Sequence, residues 1–252
     1  MCFYYAIVKK NPRKLVEKRV ITEKQLDLFQ DTYLINGFEN PRLPVINEKQ
    51  ELMFMEWGLI PVYITAENEK RNFRQKYNTL NAKCETIFDS KMYAEVIKKR
   101  RCLVICSGFF EWRTYKGKKY PYYITLKEED VFVFAGIYNE NTNKETGEIS
   151  SSFSIITTHA NELMETIHNT KKRMPLILEP ESALRWISPE LKDDDIRGFL
   201  KPIESHKIKA HTIQKFVPSQ AAINNNSELL AYYHYPELTQ LIEKQGDLFE
   251  EM

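Results

Sequence analysis

Met1-Cys2-Phe3-Tyr4-Tyr5-Ala6-Ile7-Val8 opens the chain with an aromatic and β-branched run, and Lys9-Lys10-Asn11-Pro12 stops it. Such a run reads as a β-strand that begins directly after Cys2. A terminal strand is tied into a sheet, so the start of the chain is held and does not fray. Removal of Met1, routine when the second residue is as small as Cys, leaves Cys2 with an α-amine and a thiol on adjacent carbons. These groups titrate near ~8 and ~8.5, and an aldehyde that meets both closes to a five-membered thiazolidine ring.

Outward from this strand, the composition gives no sign of a break. The 252 residues are 42% hydrophobic and 28% charged with a net charge of +1, an ordinary globular balance with ample material for a core. Any nucleic-acid site must therefore be a local patch. The four cysteines, Cys2, Cys84, Cys102 and Cys106, form neither a disulfide framework nor a CxxC pair for zinc, so a reducing cytoplasm is expected and no metal or cofactor. Lys9-Lys10 follow the short apolar run and do not precede a long one, which is not the order of a signal peptide. No run reaches ~18 apolar residues, so no membrane span is predicted. The Lys- and Asn-rich, Gly-poor usage fits a bacterial protein from an AT-rich genome.

Further strands are predicted at Leu52 to Ile60, Cys102 to Cys106, Tyr122 to Leu126, Val131 to Tyr138, Ser151 to Thr157 and Leu176 to Leu178. The segment Pro41 to Ile46 reads as a Pro-punctuated loop, and Thr65 to Tyr77 as a loop or irregular helix. Thr22-Glu23-Lys24-Gln25 has the form of a capping box before a short helix. Ala82 to Ile97 reads as helix. Asn161 caps a helix that delivers His168 at its end, Pro180 opens another with Leu184 and Trp186, and Asp193-Asp194-Asp195 is a solvated helix start. Short strands interspersed with single helices predict an α+β fold on antiparallel sheet, with residues 1–235 as one domain and 236–252 as a C-terminal helix and acidic tail.

Five segments together resemble the SOS response-associated peptidase family, SRAP, whose members shield abasic sites in single-stranded DNA. They are Met1-Cys2, Trp57-Gly58-Leu59-Ile60-Pro61, Asn81-Ala82-Lys83-Cys84-Glu85-Thr86, Gly108-Phe109-Phe110-Glu111-Trp112, and Thr157-Thr158-His159-Ala160-Asn161 with Arg173-Met174-Pro175. The resemblance implies antiparallel sheets wrapped into a barrel-like core with surrounding helices, a positively charged groove for single-stranded DNA, and a Cys2 that attacks the ring-opened aldehyde of an abasic site.

The chemistry of the matched positions agrees with such a role. Thiazolidine formation needs several proton transfers, and a carboxylate among aromatics, Glu111 between Phe110 and Trp112, has its pKa raised toward the working range by desolvation. His168 suits the opening of the sugar ring, although four residues separate it from Arg173, three more than the family spacing; His159 is the competitor. Asn81 donates and accepts at once, and so can orient the terminal amine or the sugar.

Lys83, where the family has Arg, and Arg173 are the candidate phosphate contacts. Trp57 and Trp112 are candidates for stacking on the strand. Cys2-Phe3-Tyr4 stands where many members read Cys-Gly-Arg, so one phosphate contact is missing and Phe3 or Tyr4 stacks or packs instead.

Lys98-Lys99-Arg100-Arg101 is a solvated face or an extension of the groove, and Cys102 and Cys106 alternate with apolar residues as buried positions do. Gln25-Leu26-Asp27-Leu28-Phe29 and Gln245-Gly246-Asp247-Leu248-Phe249 both look similar to the peptide that bacterial replication proteins use on the sliding clamp. The first fits an amphipathic helix with a core Leu and Phe; the second, in a tail free to dock, is the better candidate for binding a sliding clamp. The expectation is a monomer that crosslinks covalently to abasic sites. The alternatives are an N-terminal-nucleophile hydrolase, in which Cys2 attacks an amide with its own amine as base, and a non-covalent single-strand binder.

Overall fold

A computed structural model describes residues 2–8, 13–127, 132–217 and 225–238. In chain order the strands are β1 (Tyr4–Ile7), β2 (Thr32–Asn36), β3 (Arg42–Ile46), β4 (Leu52–Trp57), β5 (Asn81–Lys83), β6 (Arg101–Cys106), β7 (Gly108–Tyr115), β8 (Lys118–Leu126), β9 (Phe132–Thr142), β10 (Ile149–His159), β11 (Arg173–Pro175), β12 (Ile177–Leu178) and β13 (Ile208–Thr212). Among the described residues no helix is long and apolar enough to cross a membrane.

Five of these strands close on themselves. β10 runs parallel to β4, and antiparallel pairs then join β4 to β3, β3 to β6, β6 to β9 and β9 back to β10. Closure satisfies the backbone all round the ring and leaves no free edge. The inward side chains are the β-branched and aromatic residues of those strands: Val45, Met55, Val104, Phe134 and Phe153 are wholly buried. β5 and β11 extend the barrel beside β10, and β12 beside β9.

A second sheet has the order β13-β8-β7-β1-β2. The chain crosses into it from the barrel at Ser107, between β6 and β7. Ser107 N donates to Ala6 O at 2.8 Å, and its hydroxyl accepts from Val8 N at 2.9 Å, which locks β1 against the crossing. At Gly108 a Cβ would come within 2.2 Å of the Tyr123 ring, so only glycine lets that ring cover the strand. The fold is α+β, a barrel-like core with helices around it; its sheets are antiparallel as expected except where β10 runs parallel to β4 and β5.

The strand at the terminus is present as Tyr4–Ile7, held between β2 and β7. The capping box at Thr22 forms with Gln25, Asn161 caps its helix by accepting from Met164 N at 2.9 Å, and helices begin at Pro180 and Asp193. Leu26 and Phe29 are core residues, but the helix ends at Leu26, so Phe29 packs from the turn beyond it and Leu28 is exposed; Cys102 and Cys106 are buried.

Other expectations need correction. Arg42–Ile46 is barrel strand β3 and not a loop; Pro44 is tolerated because β6 joins only from Val45 onward, so at Pro44 the strand is paired on one side. Residues 82–97 are not one helix. Asn81–Lys83 extend along β10, a 3-10 turn follows over Cys84–Thr86, and helix resumes only at Ala94–Lys99. Pairing to β10 has overridden local propensity there. Glu67–Lys76 is a regular helix. In the basic run 98–101, Lys98 and Lys99 are on the solvated face expected, paired with Asp193 and Glu95, whereas Arg101 is buried. Gln245–Phe249, Leu241, Ile242 and Met1 lie outside the described residues.

Candidate functional site

The two sheets meet at the start of β1. Because β1 runs antiparallel to β7 through Tyr5 and Phe109, its first residues lie alongside the Glu111 stretch of β7. From the barrel side, β5 brings Asn81 opposite Ile155 of β10, and β11 brings Arg173 opposite His159. The helix Glu162–Ile167 ends on His168, its C-cap. Four segments far apart in the chain thus deliver Cys2, Asn81, Glu111 and His168 to one place.

Cys2 is fully enclosed. Asn81 Nδ2 donates to its carbonyl at 2.9 Å, which fixes the backbone of the residue. The buried Oδ1 of Asn81 has no hydrogen-bond partner among the described residues, so one acceptor remains there for an incoming donor. Burial, reinforced by the negative charge of Glu111, pushes the Cys2 thiol far above its usual range, so it is held as S–H at neutral pH.

Glu111 is also buried, and burial pushes its carboxyl up to about 7. The cause, desolvation, is the one expected from the sequence. Phe110 and Trp112 line the same cavity as Glu111, while Phe109, two residues before it on β7, belongs to the main core.

His168 Nδ1 lies 2.8 Å from the carbonyl of Arg173, an acceptor, so Nδ1 carries the proton and Nε2 is left as an acceptor. Burial lowers the pKa of this ring to about 4, and it is neutral at pH 7. The 3.7 Å approach of Nδ1 to Glu111 Oε1 is therefore not an ion pair at that pH. His159, the competitor, is exposed on β10, where its ring nitrogen meets only the neighbouring Thr158 hydroxyl at 3.3 Å.

An open cavity of about 470 Å³ lies over this cluster. Glu111 and His168 line it, with Phe3, Tyr4, Phe38 and Trp112 as an aromatic wall. Tyr4 meets Trp112 edge-on with centroids 5.3 Å apart, and Phe3 meets Phe38 at 4.8 Å. Phe38 is 54% exposed on the cavity rim; nothing in the sequence around Gly37-Phe38 signalled it. Phe3 and Tyr4 both pack against other rings and face the cavity.

The other nominated residues divide. Lys83 is exposed at the end of β5. Trp57 is not a surface residue: its ring is 0% exposed, its Nε1 donates to Leu80 O at 2.9 Å, and it stacks within the core on Phe153 and Tyr5. A ring enclosed in this way has no face to offer a base. Arg173 is committed internally. It donates to Thr157 O at 2.7 Å and Thr157 Oγ1 at 3.1 Å, and pairs with Glu85, bracing β11 against β10 and the turn after β5.

Residues 1–220 match the SOS response associated peptidase (SRAP) family. The chain is 34% identical over 192 residues to the abasic site processing protein YoqW of Bacillus subtilis, covering 75% of this chain and 80% of that one. It is 29% identical over 205 residues to the abasic site processing protein HMCES of Xenopus tropicalis, covering 73% of this chain and 58% of that one. A crystal structure of a protein from Bacteroides thetaiotaomicron superimposes with a TM-score of 0.81 at 34% identity, covering 92% of this chain and 100% of that one. The chain belongs to the SRAP family.

Proposed function

We propose that this protein processes abasic sites in DNA by capturing the ring-opened aldehyde covalently on Cys2, once Met1 has been removed, while the lesion lies in single-stranded DNA. The observation that carries this is the convergence of Cys2, Asn81, Glu111 and His168 beneath one cavity with an aromatic wall. The names borne by the relatives support the class of substrate.

The protonation states favour the amine as first nucleophile. A thiol held as S–H by burial is a poor initial attacker, whereas an α-amine near ~8 is partly free at neutral pH. The amine nitrogen adds to the aldehyde carbon and gives a carbinolamine. Glu111, close to half protonated at pH 7, gives a proton to the carbinolamine hydroxyl, which leaves as water and yields the imine. The nitrogen still carries the proton it held in the carbinolamine, so Glu111 as carboxylate then accepts the thiol proton while sulfur bonds to the iminium carbon and the C=N electron pair returns to nitrogen, which closes the thiazolidine. The sum is aldehyde plus aminothiol to thiazolidine plus water, and the reverse steps release the DNA. Asn81 Oδ1 is the acceptor that orients the amine, and the unprotonated Nε2 of His168 takes the hydroxyl proton as the sugar ring opens and returns it to the ring oxygen that leaves.

The same buried thiol weighs against a hydrolase that would begin with thiolate attack on an amide. The test is incubation of the mature protein with an abasic-site oligonucleotide, followed by a denaturing gel. A heat-stable adduct is expected from the wild type and none from Cys2→Ser. Absence of adduct from wild type lacking Met1, or an undiminished adduct from Cys2→Ser, overturns the proposal.

A further inference from the structure

The cations nominated from sequence are not the ones that line the cavity. Arg173 and Lys172 are engaged by Glu85 and Glu165. Two other lysines, Lys119 and Lys171, line the cavity mouth, both exposed, and neither has an ion-pair partner among the described residues. They come from opposite sides and are set there by one feature.

β1 ends at Tyr4, so β7 continues past it with one edge open. Asn169, the first residue of the turn after His168, fills that edge: its Oδ1 accepts from Thr114 N at 3.0 Å and its Nδ2 donates to Thr114 O at 2.8 Å. One side chain thereby makes the two bonds that a paired strand residue would make. On the other edge Thr114 pairs directly with Lys119 of β8, which puts those two side chains on the same face. That face also carries Phe110 and Trp112 at two-residue intervals. The turn pinned by Asn169 continues into Thr170 and Lys171, which also line the cavity. The cavity thus runs from Glu111, past the Trp112 ring, to a mouth carrying two ammonium groups and two hydroxyls. The distance from Glu111 to Thr114 is roughly 10 Å at ~3.3 Å per residue.

We infer that Lys119 and Lys171 form a phosphate-binding subsite that holds the backbone of single-stranded DNA beside the lesion, with Asn169 as the positioning residue that holds the Lys171 turn in place. An aromatic ring followed by unspent cations is the pattern that binds a single strand without reading its sequence. This deepens the proposed function and rests on it for the identity of the strand. It assigns the turn between His168 and Arg173 a role in substrate binding.

The test uses the full chain and an intact single-stranded oligonucleotide without an abasic site, with affinity measured across a salt series. Each phosphate contact on a single strand contributes about 0.7 to the slope of log affinity against log salt. Lys119→Ala/Lys171→Ala is expected to lower the slope by about 1.4 and to weaken binding on the order of tenfold at low salt. Asn169→Ala is expected to lose roughly the Lys171 half of that slope. Both variants should melt within a few degrees of wild type and, at saturating protein, still form the abasic-site adduct. An unchanged slope in the double variant, with wild-type DNA binding and adduct intact, overturns the subsite alone. A wild type with no affinity for single strands and no adduct overturns the subsite together with the function on which it rests.

Discussion

His168 Nδ1 stands 3.7 Å from Glu111 Oε1, yet the two are not a charged pair at neutral pH, because the imidazole titrates at about 4 and the carboxyl at about 7. Burial moves each toward its neutral form. Between these values both groups are uncharged, and only Glu111 exchanges a proton near the pH of the cell. The carboxyl is thus the proton carrier of the site and the imidazole a fixed acceptor.

Glu111→Gln separates the catalytic and energetic consequences. Adduct formation should fall by on the order of 10²-fold, and the rate should lose its inflection near pH 7. Stability should move the other way. A carboxyl whose folded pKa is raised gives stability that is fully present below its unfolded pKa, near ~4.3, and lost as pH rises through about 7. The Gln variant does not suffer this loss, so it should melt at a higher temperature than wild type at pH 8 and at the same temperature at pH 4. Thermal melts at the two pH values check the sign.

The two tryptophans nominated for stacking should behave as opposites. Trp57 is core, so Trp57→Ala should cost about 3–5 kcal/mol and impair folding. Trp112 is half-buried on the cavity wall, so Trp112→Ala should leave the fold in place and weaken single-strand binding by about 1–3 kcal/mol for a stacked base. Melting and DNA titration of the two variants distinguish them.

Arg101 is a purely structural cation. Its guanidinium donates to Ile97 O at 2.8 Å, Lys98 O at 2.7 Å, Trp186 O at 2.8 Å and Ser188 O at 2.6 Å, and so satisfies carbonyls at the ends of two helices. Arg101→Met should destabilise the protein by about 3–5 kcal/mol, because four carbonyls lose their donor inside the protein. Lysine, with three donors on a point charge, should rescue only part of this, as denaturant unfolding would show.

Much of this was legible in the sequence. The terminal strand, the capped helices and the barrel strands after Arg101 follow from periodicity and caps, and the clustering of Cys2, Asn81, Glu111 and His168 was foreshadowed by the family motifs. What failed did so because tertiary pairing overrode local signals. Pro44 looked like a loop breaker until its unpaired side was visible, and residues 82–97 looked helical until β10 claimed the first two. Glu111 was nominated for the right cause, desolvation, although its enclosure also needs elements that the sequence does not place. Arg173 and Trp57 are defined by their partners, Glu85 and Leu80, which sequence does not place. Asn169 had no signal at all, because a side chain imitating a strand residue leaves no pattern.

The enclosure of Cys2 between elements encoded far downstream imposes a schedule on maturation. Its cover includes β7, about a hundred residues later in the chain, so a nascent terminus stays open to a trimming aminopeptidase for roughly 5–20 s at ~5–20 residues per second of synthesis. After docking, Cys2 is enclosed and the strand that follows it is held between two neighbours, so the amide of Cys2 must be uncovered before a peptidase can cut ahead of it. Protein folded with Met1 retained should therefore resist added methionine aminopeptidase and yield to it in denaturant, by intact mass; equal trimming of both would show that the strand opens freely.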